Sequence, residues 1–328
     1  MTVTKRQELL FIYETKDCNP NGDPLDENKP RTDPETGVAT VTDVRIKRTI
    51  RDYLHKVKEH EILVRDTVNS EGYLKDGKGR CEDFFGAAGI SEKETITSLV
   101  SKVEKVILEK CIDVRLFGCT LPVEHGTGTK AKKSSIRLTG PVQFNGFNRS
   151  LHRIAPILVQ GTAGFASTKQ ATQKSFREDH IVPYACIAAY GVVNEIAARS
   201  TGLTDDDVTL LLEGLWNGTE SLISRSKMGH QPLMLMRITY NDGYRVGDLA
   251  GRIKLISEKE DIQIRSLNDY SIDVTVLVDS IVAAKGKIES IEVKQDDRLK
   301  FRDTGEECLF AKIQRLNEIT INPLPNIG

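Results

Sequence analysis

At 328 residues the chain is longer than an ordinary single domain, so a core domain carrying sizeable insertions, or two domains sharing one sheet, is expected. With 39% hydrophobic and 28% charged residues its composition is that of a folded globular protein, which excludes a fibrous or largely disordered chain. The formal net charge of -1 excludes a uniformly basic nucleic-acid binder, but Lys and Arg concentrate in a few segments while acids gather at Glu92–Glu94, Asp205–Asp207 and Glu258–Asp261, so a basic stripe is compatible with the total.

No apolar run approaches the roughly 18 residues that span a bilayer. The opening MTVTKRQELLFIYE lacks the basic, apolar, small-residue order of a secretory signal, so the cytoplasm is the expected compartment and no membrane partner is expected. The cysteines (Cys18, Cys81, Cys111, Cys119, Cys186, Cys308) form no CxxC pair, which points to buried or idle thiols rather than a disulfide framework or a zinc site.

In chain order, residues 8–15 (ELLFIYET) are aromatic and β-branched enough for an opening, central strand. Residues 16–41 follow as a loop whose N-P, N-G and D-P steps break regular structure, and a loop of that length inside a domain is usually functional. Thr42 then caps a helix with Asp43 in its first turn. Ile46, Ile50, Tyr53, Leu54 and Val57 form its apolar stripe, Arg48, Arg51 and His55 project from the opposite side, and Arg45 and Lys47 flank that basic face.

Residues 58–112 read as an insertion containing a helix over 94–110. DVRLFG (113–118) leads through a Gly- and Lys-rich loop into SIRLTGPVQF, read as one strand ending near Phe144. Between Asn145 and Asp179 the basic residues Arg149, Arg153, Lys169, Lys174 and Arg177 punctuate a segment with patchy periodicity, which reads as a protruding hairpin or flap. HIVPYACIAAYGVV (180–193) is a near-continuous apolar strand of the kind buried on both faces. Thr204 caps a second amphipathic helix that Asn217-Gly218 should stop, and strands follow at PLMLMRITY, IDVTVLV, KIESIEV and EITIN.

Catalytic templates fit poorly: HExxH, GxSxG, a Walker A sequence and a GxGxxG opening a helix after a strand are all missing. The histidines show neither metal-ligand spacing nor a nucleophile partner. Asp23, Asp26, Asp33 and Asp43 could gather a divalent ion through hard oxygen ligands, but Asx turns in a Pro/Gly loop use the same residues, and no metal or other cofactor is expected.

NPNGDP followed by PRTDPETGVATVTDVRIKRTIRDYL resembles the N-terminal signature of the CRISPR-associated backbone subunit, the Cas seven family of the RAMP superfamily. The resemblance continues through DVRLFG, SIRLTGPVQF, HIVPYACIAAYGVVNE and SRSKMGHQPLMLMRITY, covering most of residues 8–240. It implies an α+β fold with an RRM-like (ferredoxin-like) palm over 1–57, 113–145 and 180–328, a finger-type insertion over 58–112 and a thumb-like flap within 146–179. It implies a non-catalytic subunit of a type I complex, I-B on length and the SRSKMGHQP segment, with I-C the near alternative. The expected partners are guide RNA (crRNA), further copies along that RNA, subunits of the Cas five, Cas six and large-subunit families, and target DNA through guide pairing.

Phosphate contacts in the family's first helix would fall here on Arg45, Lys47, Arg48 and Arg51. Asn19, Asn21 and Arg31 in the signature loop, Gln143, Asn145 and Arg149 after the middle strand, and Arg225 and Lys227 in the SRSK segment are further backbone contacts that the resemblance implies. The aromatic RNP1 pattern of an ordinary RRM is missing, so grip is expected to be electrostatic rather than by base stacking on the sheet. Type III backbone subunits, which also resemble this sequence, cleave RNA with a loop acid; that alternative would use Asp23, Asp33 or Asp43.

Overall fold

The computed structural model describes residues 1–91, 93–126, 131–166 and 174–324 of the chain. The N-terminal part runs β1 (Gln7–Cys18), β2 (Gly22–Asp23), β3 (Lys29–Pro30), β4 (Val38–Thr42) and α1 (Asp43–Lys56). The insertion contributes α2 (Gly77–Glu82), α3 (Ile96–Lys110), α4 (Ile112–Phe117), β5 (Gly118–His125) and β6 (Lys132–Thr139). Next come β7 (Val142–Phe144), β8 (Phe147–Arg153), β9 (Ile157–Ala166), β10 (Lys174–Val193), α5 (Glu195–Thr201), α6 (Asp205–Glu220) and β11 (His230–Tyr240). The C-terminal part holds β12 (Lys254–Ile256), β13 (Ser271–Asp273), α7 (Thr275–Ala283), β14 (Ile288–Gln295), β15 (Phe301–Asp303), β16 (Glu306–Cys308) and β17 (Ile321–Pro323).

This is a mixed α+β architecture around one large sheet in the order β17-β14-β11-β1-β10-β8-β4, with β7 and β9 also pairing with β10. β1 lies centrally, antiparallel to both β10 and β11. Alternation along β1 serves two cores: Leu9, Phe11 and Tyr13 meet α1, α4 and α6 on one face, and Leu10 and Ile12 join Met234, Met236 and Ile272 on the other. Burial on both faces explains the unbroken apolar runs of β1 and β10. Glu8 is buried among these strands, where its carboxylate accepts the Tyr190 hydroxyl and the Val246 and Gly247 amides at 2.8 Å, pinning the C-terminal cover to the sheet.

α1 forms where its cap and stripe place it: the Thr42 hydroxyl accepts the Arg45 amide, and Ile46, Ile50, Tyr53 and Leu54 are buried. α6 opens with a Thr204/Asp207 capping box and buries Val208, Leu211, Leu212 and Leu215. It runs through Asn217-Gly218 to Glu220, so those residues do not stop it. The reason is packing: a Cβ on Gly214 would lie 2.9 Å from Ile50 Cγ2 and one on Gly218 3.1 Å from Tyr53 Cβ, so the two glycines let α1 and α6 approach closely.

Three other sequence expectations change. The 16–41 loop carries the short β2–β3 pair and the edge strand β4, which joins the main sheet through β8. SIRLTGPVQF is two strands, because Gly140 crosses Gly118 so closely that a Cβ on Gly140 would sit 2.0 Å from Phe117 C; β6 pairs with β5, whereas β7 pairs with β10. IDVTVLV leaves the sheet after Asp273 and becomes α7, burying Leu277, Val278 and Ile281 on one helical face.

Within 113–145, the β5–β6 hairpin pairs with itself and buries Leu121, Val123 and Ile136 with Leu99, Val103 and Ile107 of α3. α4 is the hinge between cores, giving Ile112, Leu116 and Phe117 to the helix side of the main sheet and Val114 to the insertion. Within 146–179, β8 belongs to the main sheet and the projecting ribbon is β9 with the first half of β10. Residues 167–173, including Lys169, lie outside the described residues. Among the described residues no helix is long and apolar enough to cross a membrane.

Candidate nucleic-acid interface

The signature loop is a set of local turns locked to α1. Asp33 Oδ1 accepts the Glu35 and Thr36 amides at 3.0 Å, and Asp23 accepts the Leu25 amide while pairing with Arg31 at 2.9 Å. Asn21 Oδ1 accepts both the amide and the hydroxyl of Thr42, so the loop is fastened to the helix cap. Asn19 is buried; its side-chain amide donates to Asn28 O, and its carbonyl accepts the Lys227 ammonium. Asn19 and Asn21 are thereby used in shaping the loop.

The cations of α1 have different fates. Sequence periodicity points Arg48, Arg51 and His55 outward; Arg48 is exposed, but Arg51 and His55 turn back onto protein. Arg51, its side chain 11% exposed, binds Asp113 Oδ2 at 2.9 Å and lies over the Phe117 ring. Lys47, 12% exposed, reaches Asp43 at 2.9 Å and Gln143 Oε1 at 3.3 Å. Arg48 Nε lies 3.0 Å from both Asp52 oxygens, which hold its guanidinium above its ordinary pKa.

Arg45 takes another course, donating to Thr49 Oγ1 at 2.9 Å as it points toward the 221–229 loop. Burial lowers its pKa, outweighing the opposing pull of Tyr13 and of the Asp52 carboxylate, and the Arg48 charge adds to the lowering. Lys227, also largely buried, is pushed down to about 8, first by burial and then by the Arg45 charge. Among the described residues neither cation has a carboxylate within salt-bridge distance. Beside them His230 is held down to about 3 by burial and by Lys227, so it is neutral at physiological pH, and burial raises Cys18 to about 11, leaving a thiol.

Two clefts collect Arg31 with Arg149 and Arg45 with Lys227. One, of about 610 Å³, runs along the signature loop and is lined by Arg31, Arg149, His180, Phe147 and the Asp23 and Asp33 carboxylates. Among the described residues the Arg149 side chain has no hydrogen-bond partner; the Thr36 and Glu35 amides, and after them the Arg149 charge, keep the Asp33 carboxyl below its usual range. The other, of about 320 Å³, lies between α1, the end of α6 and the 221–229 loop, lined by Arg45, Lys56, Lys227, Thr49, Ser224 and the Asp52 carboxylate. Gln143 and Asn145 are exposed at the end of β7, and Arg225 reaches across to Asp179.

The structure thus gathers Arg45 with Lys227 and Arg31 with Arg149, places Gln143 beside Lys47, and turns Arg51 inward. It adds Phe147, 54% exposed on the rim of the first cleft, and His180, neither of which sequence reasoning singled out. Their signals were weak: Phe147 follows a turn-like Asn145-Gly146, and His180 opens an apolar run. Among the described residues no three His, Cys, Asp or Glu side chains are placed to hold a metal ion.

The family model described as CRISPR-associated protein Cas7 matches residues 5–275. A Haloferax volcanii protein named CRISPR-associated protein Cas7 is 33% identical over 324 residues, covering 95% of this chain and 92% of that protein. Among solved structures, a chain of a "CRISPR RNA-guided surveillance complex, pre-nicking" superposes with a TM-score of 0.53 at 11% identity, over 91% of this chain and 96% of that one. A chain of another CRISPR RNA-guided surveillance complex has a TM-score of 0.48 at 13% identity, over 92% and 95% of the two chains.

Proposed function

The chain belongs to the CRISPR-associated Cas7 family, and from that premise we propose that it is a non-catalytic backbone subunit whose paired clefts grip the sugar-phosphate backbone of a guide RNA. The observation that carries this reading is the Arg45–Lys227 pair: two largely buried cations in an open cleft, neither in a salt bridge among the described residues, the one carboxylate on the cleft wall, Asp52, being taken by Arg48 and Lys56. Burying unpaired like charges is costly, so such a pair is at its most stable with an anion between them. A nucleic-acid phosphate supplies that charge without sequence preference.

Arg31 and Arg149 would hold a neighbouring stretch of backbone along the first cleft, with Gln143 and Asn145 contacting the strand from the end of β7. In this reading the main sheet and its helices are an RRM-like palm, the α2–β6 segment a finger, and the β9–β10 ribbon a thumb. Copies assemble side by side on crRNA in the cytoplasm, with other subunits of a type I complex, I-B by the SRSKMGHQP segment, and present the guide to target DNA. The loop acids support a non-catalytic role: Asp33 is occupied by backbone amides, Asp23 by Arg31 and Asp43 by Lys47.

Co-expression with a guide transcript, followed by nuclease footprinting of the copurified RNA, tests the proposal. A protection pattern repeating at a fixed spacing is expected, and protein that purifies without RNA would refute it. Incubating the same complex with complementary RNA and Mg²⁺ should leave that RNA uncut.

A further inference from the structure

Arg225 sits in the 221–229 loop and Asp179 at the base of the β9–β10 ribbon, and Arg225 Nη2 lies 2.8 Å from Asp179 Oδ2. The pair links the edges of the two clefts. His180, the neighbour of Asp179, lines the signature-loop cleft, and Ser224 and Lys227, on either side of Arg225, line the Arg45 cleft. A strand occupying both clefts has to pass this bridge.

Asp179 also takes Arg177, whose Nη2 lies 3.0 Å from Oδ1, and together Arg225 and then Arg177 hold its carboxyl below the usual range. Arg225 is well exposed, so its ion pair is of the weakly held surface kind that another anion displaces readily. Phosphate accepts a guanidinium as well as a carboxylate does.

Resting on the RNA-binding reading above, we propose that Asp179 is a built-in competitor for RNA, a positioning residue that keeps Arg225 at the junction of the clefts and releases it to a phosphate when the strand arrives. The carboxylate stands where backbone charge will stand. Bare protein thus keeps one cation neutralised, which discourages adventitious anions, and partner exchange adds a contact that spans both clefts.

The test uses the full chain and a fluorescent, mixed-sequence single-stranded RNA, with affinity measured across a salt series. Asp179→Asn should bind about two- to fivefold tighter at low salt, the scale of an exposed ion pair no longer competing. Adding Arg225→Gln in the Asp179→Asn background should abolish that gain. Unchanged or weaker binding by Asp179→Asn would overturn the proposal, because a purely structural strap loses grip when cut. A gain that survives Arg225→Gln would also overturn it, by assigning the effect to Arg177. Arg45→Gln with Lys227→Gln, measured beside these with Asp179 intact, reports separately on the RNA-binding reading itself.

Discussion

Arg51 Nε lies 2.9 Å from Asp113 Oδ2 across 62 residues of chain, and the same carboxylate accepts the Leu63 amide at 2.7 Å and the Val64 amide at 3.2 Å. Asp113 is 1% exposed. The chain leaves α1 for the insertion near Leu63 and returns through α4, so one buried anion ties both crossings to the helix. A cation whose position in the basic helix suggests phosphate contact is consumed in bracing the insertion.

Arg51→Met should therefore lower unfolding stability by about 3–5 kcal/mol, the cost of stranding a buried partner charge. Urea denaturation followed by circular dichroism measures it. The salt dependence of RNA binding by the folded fraction should not change, in contrast to a lost phosphate contact.

Gly214→Ala should destabilise by about 1–3 kcal/mol, because the added methyl meets Ile50 Cγ2 at 2.9 Å where α1 packs on α6. Thermal unfolding would show the loss, and combining it with Ile50→Leu, which takes away the Cγ2 branch at Cβ, should recover part of it. Additive losses would contradict the close-approach explanation.

RNA affinity should fall as pH rises above about 8, where unliganded Lys227 loses its proton. A bound phosphate favours the ammonium, so binding takes up a proton in this range, with a slope of at most about one decade of affinity per pH unit. For folding the sign is opposite. The folded-state pKa is below the unfolded one, so the unfolded chain binds more protons between about 8 and 10.5, and Lys227 makes stability rise with pH across that window. Lys227→Arg should flatten the binding profile from pH 7 to 9.5, measured by fluorescence anisotropy.

What was legible in sequence is what short-range chemistry decides. Thr42, Asp43 and the Ile46–Ile50–Tyr53 stripe specify α1 without reference to the rest of the chain, and the apolar runs of β1 and β10 announce strands buried on both faces. The fates of the charges were not legible, because Asp113 is far along the chain from Arg51 and Asp179 from Arg225. Lys47 and Arg45 are two residues apart on one helix, yet one meets Asp43 and Gln143 and the other Thr49 in the 221–229 cleft. Local composition likewise read β-branched Ile272–Val278 as a strand, where the buried face of α7 wins.

The most direct measurement is the salt dependence of guide-RNA affinity for the wild-type chain and for Arg45→Gln combined with Lys227→Gln. Single-stranded binding loses about 0.7 in the slope of log K against log salt per phosphate contact, and the two cations share one phosphate, so the double variant should have a slope shallower by about 0.7, with affinity reduced alike for unrelated guide sequences. An unchanged slope, or a loss confined to particular sequences, would contradict a phosphate seat between Arg45 and Lys227.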